Sequence, residues 1–161
     1  MPRHLVVKND SLQIYLHDHL AGAALAIDML KALRDGHNDG LGEFAAGLLG
    51  DIETDLQELR KLAARIETRS AGFKEWMARL MERLSRLKFR RGKTDDLGTF
   101  ETLEALALGI LGKAALWTAL SSVDDSRLMG LDYPVLIRRA RQQHERAEQM
   151  RLKLAQAALG R

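Results

Sequence analysis

The sequence predicts an all-α protein, and three observations lead there. Apolar residues recur at helical spacing through most of the chain, and no stretch competes as a strand. The composition is rich in Ala, Leu, Arg and Glu, all good helix formers, and it includes only two prolines. Turn signals are few and well separated: "DGHNDGLG", "RRGKTDDLG" and "DDSRLMGLD".

The first helix is expected over about 11–35. It begins after Asn9, Asp10 and Ser11, each a good N-cap, and ends at Gly36. Its inward face carries Leu12, Leu16, Ala23, Ile27 and Leu30. A second helix over about 41–69 places Phe44, Leu48, Ile52, Leu56, Leu59, Leu62 and Ile66 on one side. The short turn between them makes the pair an antiparallel hairpin. A shorter amphipathic helix, 73–89, follows Gly72 and turns Trp76, Met77, Leu80, Leu84 and Leu87 inward. The next helix, about 99–122, is apolar nearly all round and is therefore expected at the centre. Pro134 opens the last, about 134–159, with Ile137, Ala140, Ala147, Met150, Leu154 and Ala158 on one side. Two long hairpins joined by about 29 residues describe a ferritin-like four-helix bundle with an additional crossover helix. A five-helix up-down bundle fits the same periodicity.

At 161 residues the chain makes a single domain, 1–161, able to bury roughly 70% of its unfolded surface without staples. Apolar residues are 46% and charged ones 29%, which argues against extended disorder. The absence of cysteine excludes disulfides, thiolate metal sites and a cysteine nucleophile. The apolar run at the N-terminus is too short for a signal peptide, and a cytoplasmic location is expected. The longest apolar run, Ala105 to Leu120, is interrupted by Lys113 and falls short of the ~20 residues of a membrane span.

The net charge of +3 is small, but the surplus is uneven. Arg79, Arg83, Arg86, Lys88, Arg90, Arg91 and Lys93 face only one acid, Glu82. That segment reads either as a solvated helix face or as a polyanion or nucleic-acid patch. No aromatic interleaving or nucleic-acid motif accompanies the charge, so nucleic acid is the weaker reading.

Chemistry, if any, falls on polar residues inside apolar helices. "YLHDHLAG" sets Asp18 and His19 on the first helix, and "FETLEALALGILGKAALWTAL" carries Glu101, Glu104 and Lys113. In an antiparallel hairpin, residues at one height have numbers that sum to a constant. His19 then falls opposite Asp55, and Glu104 opposite Glu148 with His144 a turn away; Asp51 and Gln143 lie close by. His17 belongs to the side of Gln13, Ala21, Ala24 and Asp28 and is expected to be exposed.

Inward carboxylates and histidines could hold a dinuclear iron or manganese centre, with His19, Asp55, Glu104, His144, Glu148 and Asp18 as ligands and oxygen chemistry as the activity. The pattern lacks the usual Glu-x-x-His: none of the five histidines has Glu three residues before it. Asp55 also falls about nine residues beyond Glu104 if their helices start flush, an offset of ~13 Å. The preferred reading is a buried polar network of Asp18, His19, Asp55, Glu104 and Lys113, paired as His19–Asp55 with Glu104–Lys113 or Glu104–His144, and no cofactor. No Gly-rich phosphate loop, H-E-x-x-H or nucleophile elbow occurs.

"YLHDHLAGAALAIDML", "WMARLMERLSRLKF" and "FETLEALALGILGKAALWTAL" resemble segments of a family of uncharacterised bacterial helical proteins, ferritin-like in outline. The family patterns are Asn-Asp-His-Leu-Ala and Leu-Glu-Ala-Leu…Gly-Lys-x-Ala-Leu-Trp. They match here at Asp18 to Ala21, at Leu103 to Leu106, and at Gly112, Lys113, Ala115, Leu116 and Trp117. His17 stands where the pattern has Asn. The resemblance implies the fold and no particular activity. The incomplete ligand set and the absence of other site motifs lead to an expected structural or interaction role, and the leftover apolar groups Phe73, Trp76, Met77 and Leu80 on the 73–89 helix to an expected homodimer.

Overall fold

A computed structural model describes residues 11–66, 78, 82 and 95–160. Among these the structure is all-helical, with four long helices and no strand. They are α1 (Ser11–Gly36), α2 (Gly40–Ile66), α3 (Asp96–Ser121) and α4 (Tyr133–Leu159), with a 3-10 turn at Ser126–Leu128. α1 packs on α2, α3 on α4, and α1 meets α3 across the two pairs. Most of the amphipathic segment 73–89 and the basic segment 79–93 lie outside the described residues; Ala78 and Glu82 are helical and exposed.

Each turn has a local cause. Asp39 accepts a hydrogen bond from Leu41 N at 3.1 Å, starting α2 after a three-residue turn. Gly42 lies against the carbonyl of His37: a Cβ there would come within 1.9 Å of that oxygen, so the tight α1–α2 turn requires glycine. α3 starts earlier than Thr99. Asp95, within the expected loop, is its N-cap and accepts from Gly98 N at 2.7 Å. The α3–α4 turn uses Gly130 at φ +88°, the left-handed region that favours glycine. Asp132 then caps α4, accepting from Val135 N at 3.1 Å, with Pro134 in the first turn. Tyr133 Oη donates to Leu128 O at 2.7 Å and ties the turn to the helix start.

The core is one apolar cluster drawn from all four helices, with Leu16 and Leu30, Leu48 and Leu62, and Leu103, Leu106, Leu116 and Trp117 almost fully buried. α4 buries only a narrow seam of Leu136, Ala140, Gln143 and Ala147. Its alanines bring α4 close to α3.

α3 does not occupy the centre. Its inner side is buried, but Leu108 is 62% and Leu111 49% exposed, and Ala105, Ala115 and Ala119 are exposed with them. All-round apolarity here reflects one face in the core and another on the outside. By length and composition α3 is also the one described helix that could cross a membrane.

Candidate functional site

Asp55 is the most buried carboxylate among the described residues, at 3% exposure. It stands on the inner face of α2, between Ile52 and Leu59. Lys113 of α3 donates to its Oδ2 and also to Oε1 of Gln143 on α4. Gln143 in turn donates to Asp55 Oδ2 at 3.0 Å. Arg139 Nη2 lies 2.5 Å from Asp55 Oδ1, close enough for an ion pair but misaligned for a hydrogen bond. A single carboxylate thus joins α2 to α3 and α4. Farther out, Arg146 donates to Asp51 at 2.6 Å and repeats the α2–α4 link in a more exposed setting.

Burial pushes the Lys113 ammonium below its ordinary value of 10.5, while the Asp55 carboxylate acts in the opposite direction and Arg139 adds to the lowering. Beside this cluster lies a cavity of about 60 Å³ between α1, α2 and α3. Asp55, Lys113 and His19 supply its ionisable groups, and Ala23, Ile52, Leu56, Ile110 and Trp117 are among its apolar walls. His19 is half-buried, with its ring edge-on to Tyr15 at 4.7 Å. Burial lowers its pKa from 6.5, against the pull of Asp18.

His19 and Asp55 therefore line one cavity, but Asp55 takes Lys113, Gln143 and Arg139 as its partners. Two cations compete for one carboxylate, and a neutral imidazole does not displace them. Asp18 is exposed, since it stands two residues from both Leu16 and Leu20 and so on the opposite side of α1. His17, expected to be exposed, is buried at 8%. Its side of α1 lies along α2: Ala24 and Asp28 share a groove there with Gly50 and Thr54.

Glu104 pairs neither with Lys113 nor with His144. It is exposed, 3.2 Å from Arg151, which also binds Glu148 at 2.5 Å and lies over the Phe100 ring at 4.9 Å. Arg151 holds the Glu148 carboxyl below its usual range. Lys113 sits nine residues beyond Glu104 on α3, so the Asp55 layer and the Glu104–Glu148 layer are ~13 Å apart along the axis. Among the described residues no three His, Asp or Glu side chains gather as a metal site. The residues present do not fit a dinuclear centre: one carboxylate faces two cations, and the others face Arg151 a layer away.

Arg139 is the member that sequence reasoning missed. The same hairpin sum that sets Glu104 opposite Glu148 sets Lys113 opposite Arg139, so the signal was in the numbering. Fold and cluster together define the class, an all-helical protein whose two helix pairs are joined by a buried ion cluster. No protein-family model, curated protein or solved structure matches the chain.

Proposed function

We propose that the chain is a ferritin-like helical bundle with a structural or interaction role, no catalytic turnover of its own, and a homodimeric state. Asp55 carries the reading. Its buried carboxylate is engaged by Lys113, Gln143 and Arg139, which link α2 to α3 and α4. To act as a base or metal ligand it would first have to lose cations whose removal leaves buried charge.

The positions of the helix ends bear on the connectivity. Arg65, at the end of α2, donates to Met129 O at 3.1 Å, which sets that end beside the C-terminal end of α3. The start of α3 lies ~39 Å along its axis from that end, so α2 and α3 point the same way. A crossover between the two hairpins is compatible with this placement, and so is the middle helix of a five-helix up-down bundle.

The outer strip of α3 supports self-association. From Ala105 to Ala119, ~21 Å of helix, its exposed side presents Ala105, Leu108, Leu111, Ala115 and Ala119 with no charge among them. A solvated helix face is ordinarily polar. Two copies meeting through this strip about a two-fold axis satisfy the self-complementarity of a closed dimer. Sedimentation tests the reading: a dimer is expected, dissociating in Leu108→Glu with helicity unchanged. A strictly monomeric species at high concentration contradicts it.

A further inference from the structure

We infer that the cavity between α1, α2 and α3 is a binding site for a short-chain aliphatic carboxylate of three or four carbons, held by Lys113 and His19. The inference goes beyond the structural role of Asp55 and does not depend on the dimer.

Size sets the first limit. The cavity has about 60 Å³ of room. On the same measure one water needs roughly 10–15 Å³, so the space admits roughly four to six non-hydrogen atoms. Propionate and butyrate fall in that range, and hexanoate exceeds it.

Charge sets the second. Lys113 shares the carboxylate of Asp55 with Arg139, and Asp51, which also acts on Lys113, is itself paired with Arg146, so the cluster keeps one cation in excess. An ammonium has three N–H donors. Asp55 and Gln143 take two of those on Lys113, which leaves one for a ligand in the cavity that Lys113 lines. A carboxylate supplies the missing negative charge. A cationic ligand would add to the surplus. The half-buried His19 ring, which lines the same cavity, offers one further donor. The remaining walls, including Ala23, Ala26, Ile52, Leu56, Ile110 and Leu116, suit an alkyl chain.

Access is the third observation. Gly22 of α1 and Gly109 of α3 both line the cavity and are both exposed, which sets them at its mouth. A Cβ added at either would meet no atom within 4 Å, so neither glycine is there to let helices approach. Glycine in a helix interior costs about 1 kcal/mol relative to alanine. At these two positions the missing side chain keeps the entrance open.

Calorimetric titration of the full chain at constant ionic strength tests the inference, with butyrate, butylammonium, n-butanol and hexanoate as probes. Saturable butyrate binding is expected, at least about tenfold tighter than that of the other three. It should be lost in Gly109→Leu, which places a side chain in the mouth. Unchanged circular dichroism would show that this variant remains folded. No saturable butyrate binding, equal binding of butylammonium, or butyrate binding retained in folded Gly109→Leu would each overturn the inference. The ligand series on the unaltered protein decides the matter even if the variant does not fold.

Discussion

His19 shows how a single side chain couples burial to pH. Its pKa in the folded chain is lowered from 6.5 because the neutral ring is favoured there, so the unfolded chain takes up the proton first. Stability should therefore fall as pH drops through 6.5 towards the lower folded value. Denaturant unfolding between pH 7.5 and pH 5 should show this loss, and His19→Gln should reduce it; an unchanged slope in the variant would assign the dependence to other groups. Lys113 stood out in the sequence as a charge inside an apolar helix, and Asp55 by its height opposite His19, since buried charges need partners. Which partners they took was less legible. Height along a hairpin fixes which residues are level, but not which of several level groups wins. Two cations outcompete a neutral imidazole for one carboxylate.

At the scale of the element, the periodicity of α1, α2 and α4 is plain because a single apolar stripe faces the core. Boundaries were less plain where a capping aspartate lay inside a run of polar residues, as Asp95 does in "GKTDDLG". α3 misled for a different reason. A helix apolar all round is compatible with burial on every side or with a core face plus an exposed apolar face, and periodicity does not distinguish the two. The α1–α2 turn yields a sharper test. Gly42→Ala would drive a Cβ to within 1.9 Å of the His37 carbonyl, and the turn must shift to relieve it. A loss of about 1–3 kcal/mol in chemical unfolding is expected, as for other overpacked sites. Gly50→Ala in the same helix has open space around its Cβ and should instead be neutral or stabilising. Equal effects of the two substitutions would show that the close contact does not constrain the turn.

In the whole molecule, the buried ion cluster is what joins the α1–α2 pair to the α3–α4 pair at the level of Asp55. Apolar burial supplies most of the stability, as in any protein of this size. The cluster selects the register, because a shift of either pair along the axis would strand a buried carboxylate and a buried ammonium. The most direct measurement is a double-mutant cycle in denaturant unfolding, with Asp55→Ala, Lys113→Met and the two combined. Asp55→Ala should lose about 3–5 kcal/mol, since it leaves Lys113 buried without a carboxylate, and Lys113→Met should lose less, since Arg139 and Gln143 still hold Asp55. The double variant should lose well under the sum, because Arg139, 36% exposed, can turn to water and no orphan charge is left in the core. Effects that simply add to within about 0.5 kcal/mol, or unfolding unchanged from the parent, would contradict the account.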